Sequence, residues 1–287
     1  RLDALRRLLP EMMAFGDNPL SMIPALQISI AGRGPFARFD RLRGEVDQHL
    51  FDLMAERRAE GDSERADVLA TLLAATHTDG SPMTNEEIRD ELLTALVAGH
   101  ETTASSLAWA FAEIARHPGI GEELAAGDPA YLEATINETL RRRPVLPNPE
   151  PRLVVKPFEC GGYTYPPGVV LIVSAQLIHH DETIYPDPYA FRPERFLDRK
   201  PGTYTWLPFG GGRRRCIGAS FALLEMRVVL RQAFAALTMR AADDTPIRTR
   251  RRMITITPAD AALVVLSDRP ASSAHTPAVA EAAPMGR

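Results

Sequence analysis

Cysteine and lysine are scarce in this chain of 287 residues: Cys160 and Cys216 are the only thiols, and Lys156 and Lys200 the only lysines. Two thiols cannot build a disulfide framework, so a small stapled secreted fold is excluded. Because arginine carries nearly all the positive charge, an arginine cluster by itself says little. No apolar run reaches the roughly 18 residues that a membrane-crossing helix needs, and no secretory signal pattern opens the chain. Neither charge dominates, with 33 basic against 37 acidic residues and a net charge of −4. With no aromatics interleaved among the arginine triplets, that balance argues against nucleic acid as a partner. What is present is 45 % apolar and 24 % charged, a globular balance in a chain long enough to bury a sizeable core.

Leu5, Leu8, Leu9 and Met12 recur at helical spacing, and residues 16–35, rich in Gly, Pro, Asn and Ser, predict a loop. Phe39, Leu42, Val46, Leu50, Leu53 and Met54 mark one face of a helix from Phe36 to Arg58, and a second loop runs from Thr76 to Pro82. Thr84 and Glu87 form a capping box. The pattern they open runs through Ile88, Leu92, Leu96, Trp109 and Ile114 to His117-Pro118-Gly119. That predicts a central helix of about 33 residues, roughly 50 Å long. Asp128-Pro129 is an N-cap with a first-turn proline, opening a helix that ends before Pro144. The prolines in 144–151 require an extended connector. Residues 152–173 predict short strands with turns at Gly161-Gly162 and Pro167-Gly168, and 185–215 irregular chain. A helix is expected from Ala219 to Met239. Residues 254–257 and 262–266 are expected to form a closing hairpin, with Arg250-Arg251-Arg252 as a solvated edge beside it. The tail from 267 to 287 is expected to be disordered. The fold class read from this order is mainly α with a minor β part, in one domain over residues 1–266.

Three stretches carry chemistry. Cys216 lies in Phe209-Gly-Gly-Gly-Arg-Arg-Arg-Cys-Ile-Gly218, just before a helix. Glycines let backbone approach a ligand closely, and a helix N-terminus stabilises a thiolate. A metal ligand or a nucleophile fits that setting better than a structural thiol. The second stretch, Ala98-Gly99-His100-Glu101-Thr102-Thr103, puts glycine and two threonines inside a helix, where hydroxyls can compete for carbonyls and open it locally. A zinc reading of His100-Glu101 fails because position 104 is Ala. The third, Glu138-Thr-Leu-Arg141, taken alone is an ordinary i, i+3 ion pair. His179-His180-Asp181 reads as a polar turn rather than a metal cluster, and Cys160 as a turn residue without a role.

The spacing Phe-x-x-Gly-x-Arg-x-Cys-x-Gly resembles the haem-binding loop of the cytochrome P450 family, the haem-thiolate monooxygenases. The long-helix stretch is similar to that family's oxygen-activating motif. Glu138-x-x-Arg141, followed by Phe191-Arg-Pro-Glu-Arg-Phe196, is similar to its structural charge network. The resemblance implies the family's fold, with Cys216 as axial thiolate of haem b and Phe209 packed on the proximal side. Arg214, and more weakly Arg152, would pair with propionates, while Gly212 and Gly218 allow close approach. On the other face, Ala98 and Gly99 would leave room for dioxygen, Thr102 would hydrogen-bond it, and Glu101 would relay protons. Arg195 would bridge to Glu138 and Arg141.

The implied reaction inserts one atom of dioxygen into an apolar organic substrate. Electrons would come from NAD(P)H through a reductase and a ferredoxin- or flavodoxin-type donor, which Arg213 and Arg215 would help to dock. A cytoplasmic enzyme follows from the same resemblance. The competing implication is a haem-thiolate protein without monooxygenase activity: an isomerase, a peroxide-driven oxidase or an inactive truncated haem binder. The resemblance spans roughly residues 10–266 and lacks the family's N-terminal part. Residue 1 is arginine, so the chain is expected to be the C-terminal two-thirds of such a domain.

Overall fold

The computed structural model describes residues 1–15, 23, 27, 33–34, 36–61, 65–149, 151–252, 254–259 and 263–269. Most of the loop expected over 16–35, and the expected 267–287 tail from 270 onward, lie outside the described residues, while Ser267 and Asp268, expected in that tail, are strand. The order begins α1 (Leu2–Ala14), α2 (Ala37–Glu60), α3 (Val68–Ala74), α4 (Asn85–Ile114), α5 (Pro118–Ala126) and α6 (Pro129–Arg142). Four short strands follow: β1 (Arg152–Leu153), β2 (Phe158–Cys160), β3 (Tyr163–Tyr165) and β4 (Val170–Leu171). Then come α7 (Ala175–His179), α8 (Ala219–Ala236), β5 (Leu237–Ala241), β6 (Thr249–Arg252), β7 (Thr255–Pro258) and β8 (Val264–Asp268). The strands make four separate antiparallel pairs, β1–β4, β2–β3, β5–β8 and β6–β7. The class is the expected one, mainly helical with a minor β part.

The longest helix begins where its sequence places it. The Thr84 side chain accepts from Glu87 N–H at 3.2 Å, and the Glu87 carboxylate accepts from Thr84 N–H at 2.7 Å. Two of the helix's orphan N–H groups are thus satisfied. Over 30 residues α4 spans about 45 Å, and each end belongs to a different core. Its first turns carry Ile88 into a cluster with Leu8, Met12, Leu42, Val46, Leu50, Met54 and Leu69. Its last turns carry Ala110 and Ile114 into a cluster with Leu132, Ile136, Leu140, Met226, Leu230 and Phe234. Between the two, residues 94–100 are exposed. The helix stays unbroken through Thr102 even though that hydroxyl bonds a helix carbonyl, so the local opening expected there does not occur.

α6 is the most deeply set helix. Asp128 caps it by accepting from Ala130 N–H at 2.9 Å, and Pro129 occupies the first turn, where a missing N–H costs nothing. Residues Tyr131–Leu132 and Ala134–Arg141 are buried, polar ones included. Thr135 and Thr139 satisfy their hydroxyls on the carbonyls four residues back, both at 2.8 Å.

Two sequence expectations are corrected at the C-terminal end. The helix expected to reach Met239 stops at Ala236, where Leu237 turns extended and starts β5. The expected closing hairpin between 254–257 and 262–266 does not form. Residues 255–258 pair instead with 249–252, and 264–268 pair back to 237–241. The arginine triplet lies in strand β6, paired to β7 with Arg250 and Arg251 exposed, as expected of a solvated edge, while ladder hydrogen bonds satisfy its backbone.

Candidate functional site

The cysteine loop is built by its glycines. Gly210 and Gly212 hold φ of 66° and 63°, the left-handed region that disfavours any side chain. Those turns bring the chain back so that Cys216 N–H donates to Phe209 C=O at 2.9 Å. Gly218 then opens α8, accepting from Ala222 N–H at 2.9 Å. A Cβ on Gly218 would sit 3.9 Å from Cys216 Sγ, and one on Gly210 would sit 3.6 Å from Pro149 of the connector. Cys216 is exposed, as is Arg214 in the 3₁₀ turn Gly212–Arg214.

The stem of the loop is fixed to α6. Trp206 packs edge-on against Phe209 with centroids 5.9 Å apart, and both lie against the second core. Trp206 Nε1–H donates to Asn137 C=O at 3.1 Å. Leu207 N–H donates to His179 Nε2 at 2.7 Å, and His179 Nδ1–H donates to Arg141 C=O at 2.9 Å. A backbone donor on one ring nitrogen and a backbone acceptor on the other require one neutral tautomer. Burial pushes the His179 pKa down to about 3, and the nearby Arg141 cation pushes the same way. The sequence reading of His179 as part of a polar turn is thus corrected: the ring is fully buried and links two parts of the site. Only its position before an acidic residue and a turn was visible in the sequence, and that pattern does not distinguish the two roles.

Arg141 and Glu138 are both 0 % exposed. The guanidinium grips the carboxylate with two bonds, Nε to Oε2 at 2.7 Å and Nη2 to Oε1 at 2.9 Å. Glu138 Oε1 also accepts from Arg192 N–H at 2.9 Å and from Arg195 Nε at 3.1 Å. The remaining donors end on carbonyls, Arg141 on His179 and Pro188, and Arg195 on Pro186 and Asp187. One carboxylate faces two guanidiniums, and every nitrogen of both guanidiniums has a partner, the condition under which burial of ions is tolerated.

On α4, Thr102 Oγ1 donates to Ala98 C=O at 2.6 Å, and Ser106 Oγ donates to Thr102 C=O at 2.9 Å. Ala98 and Gly99 are exposed, while Glu101 and Thr102 are half-buried. Glu101 Oε1 lies 2.8 Å from Thr255 Oγ1 and 3.9 Å from Arg252 Nε. Both partners come from the C-terminal hairpin, and sequence reasoning missed them. Arg152 sits at the start of β1, exposed, with Nη1 donating to Pro151 C=O at 3.2 Å.

α8 has two apolar faces. Met226, Leu230 and Phe234 are buried in the second core. Ile217, Phe221, Leu224 and Val228 form a separate exposed stripe that starts at the residue after Cys216, where Ile217 is 104 % exposed. Leu96 and Val97 on α4 are also exposed. An apolar stripe beside an exposed thiol at a helix N-terminus suits a flat apolar prosthetic group held through sulfur. The donor set fits haem. Among the described residues, no three His, Cys, Asp or Glu side chains gather as a metal cluster, and no helix is long and apolar enough to cross a membrane.

The cytochrome P450 family model matches residues 7–126 and 128–265, and the chain belongs to that family. It is 39 % identical over 269 residues to a Mycobacterium tuberculosis protein named "Putative cytochrome P450 135B1", covering 90 % of this chain and 56 % of that one. It is 37 % identical over 273 residues to "Putative cytochrome P450 138" of Mycobacterium bovis, covering 93 % and 62 %. The chain thus spans about three-fifths of the length of the curated relatives it matches. Among solved structures, retinoic acid-bound cyanobacterial CYP120A1 superposes with a TM-score of 0.77 at 25 % identity, covering 92 % of this chain and 64 % of that one. The cytochrome P450 CYP102L1 gives 0.73 at 26 %, covering 83 % and 59 %.

Proposed function

We propose that this chain carries the haem-thiolate centre of a monooxygenase that inserts one atom of dioxygen into an apolar organic substrate. The observation that carries the reading is the placement of Cys216. Its thiol is exposed at the N-terminus of α8, its backbone is tied to Phe209, and an exposed apolar stripe runs on from it. When bound, haem b supplies the activation of dioxygen; the rest falls to residues of this chain.

Cys216 would hold the iron as thiolate, and the N-terminal dipole of α8 favours that charge. Gly212 and Gly218 would let the backbone lie close to a bound ring, and Phe209 would pack against it. Arg214 and Arg152 would pair with the propionates. Ala98 and Gly99, both exposed, would leave space for dioxygen. The Thr102 hydroxyl, one rotation from its bond to Ala98, would donate to bound oxygen, and Glu101 would return the proton it gives up. Glu138, Arg141 and Arg195 hold the frame and take no part in the reaction. Electrons come from NAD(P)H by way of a reductase and a ferredoxin- or flavodoxin-type donor that meets Arg213 and Arg215, in the cytoplasm. The Glu101–Thr102 pair favours oxygen activation over an isomerase or a peroxide-driven oxidase, which need no proton delivery of this kind.

The test is the absorption spectrum of the haem-supplemented protein, reduced, with and without carbon monoxide. A strongly red-shifted Soret band that disappears in Cys216→Ser is expected. A haem complex whose carbon monoxide spectrum lacks that shift, or is indifferent to Cys216→Ser, overturns the assignment of the thiolate.

A further inference from the structure

The C-terminal hairpin is fastened to α4 at two levels. Ile256 of β7 accepts from Trp109 Nε1–H of α4 at 2.9 Å, and its N–H donates to Val145 of the connector at 2.9 Å. One residue earlier, Thr255 is 3 % exposed. Its Oγ1 stands 2.8 Å from Glu101 Oε1 and 2.9 Å from the carbonyl of Arg252, its partner across the β6–β7 ladder. Both neighbours are acceptors when Glu101 is ionised, yet a threonine hydroxyl has a single hydrogen. A second arrangement uses every group. A protonated Glu101 donates its O–H to Thr255 Oγ1, and Thr255 donates its own hydrogen to the Arg252 carbonyl. Arg252 Nε, at 3.9 Å, is the charged group that faces the carboxylate from β6.

We infer that Thr255 is the positioning residue for Glu101, and that its hydroxyl turns between the carboxylate and the Arg252 carbonyl as Glu101 gives up and regains a proton. The inference rests on the proposed role of Glu101 in supplying protons to Thr102. It adds a hydroxyl that holds the carboxyl in one orientation in both protonation states. A carboxyl free to rotate would spend most of its time misdirected, and misplacement by an ångström is costly in proton transfer. The bond spans 154 residues of sequence, so the hairpin, rather than α4 itself, determines where the acid points.

Two readouts on the full chain test this. The first is a double-mutant cycle on thermal unfolding. Thr255→Val should lower the midpoint by about 2–4 °C and should have little effect once Glu101→Ala has removed the acceptor. The second is product formed per NAD(P)H consumed by the haem-loaded enzyme. Thr255→Val should lower that ratio by about tenfold with unchanged substrate KM and an unchanged haem spectrum, and Thr255→Ser should restore it. Should Thr255→Val fail to fold, Thr255→Ala and Thr255→Ser carry the same comparison, since they differ by one hydroxyl. Additive stabilities, or serine and alanine variants that behave alike, overturn the inference. An interacting cycle in a protein whose Glu101→Gln variant keeps full coupling would support the positioning and sink the proton-supply reading.

Discussion

The Glu138–Arg141–Arg195 region and the Cys216 region lie next to each other and are built on opposite rules. In the first, Glu138 and Arg141 are fully buried and Arg195 partly so, and their polar atoms end on a carboxylate, a backbone N–H or a carbonyl. In the second, the backbone is fixed by the Cys216–Phe209 hydrogen bond, while the side chains around the thiol are exposed, arginines 213–215 before it and the apolar stripe from Ile217 after it. His179 and Trp206 join the two: one buried imidazole and one indole N–H tie the loop stem to α6. The network spends its bonding capacity internally and so fixes geometry. The loop keeps its thiol and apolar stripe available and so can hold a ligand. Rigidity and reactivity are allotted to different residues, a few hydrogen bonds apart.

The largest expected effect breaks the first region. Glu138→Ala leaves the buried guanidinium of Arg141 without its carboxylate and should cost about 3–5 kcal/mol in chemical denaturation. A loss below about 1 kcal/mol would mean the network is less buried in solution than described. The second effect tests the link. His179 is neutral in the fold, with a pKa pushed down to about 3 against an ordinary value of 6.5. Its contribution is therefore present above about pH 6.5 and is lost as pH falls through the window toward 3, because the unfolded chain takes up the proton first. The slope is about 1.4 kcal/mol per pH unit within that window. A flatter stability-versus-pH curve in His179→Gln checks this, and an unchanged curve contradicts it. The smallest effect sharpens the comparison from the other side. Phe221→Ser on the exposed stripe of α8 should change stability by about 0.5 kcal/mol or less, while weakening haem retention in a titration. A stability loss of several kcal/mol would show that the stripe is core after all.

The sequence made the scaffold and the cysteine loop legible because both depend on near neighbours. A capping box spans three residues, an N-cap with a first-turn proline spans two, and the glycines at 210 and 212 are required by backbone angles within the loop. The reading failed where partners are distant. The helix expected to run to Met239 yields at Leu237 to a strand whose partner begins at Val264. The apolar pattern of 254–257 and 262–266 suited a hairpin, but each stretch pairs elsewhere. His179 looked like a polar turn because nothing local reveals that Leu207 and Arg141 meet at its ring. Thr255 carried no signal at all, since its partner Glu101 lies on another element.

By itself the sequence determined the element order, the long capped helix, the α6 start, the glycine loop around Cys216 and membership of a family defined by those spacings. These follow from backbone sterics and hydrogen bonds closed within a few residues. Only the tertiary structure decided which strands pair and that His179 is a buried neutral strut. Only it revealed that the free face of α8 runs on from the thiol and that a C-terminal hairpin holds the Glu101 carboxyl. Those depend on burial and on contacts between distant residues, and such contacts exist only once the chain has packed.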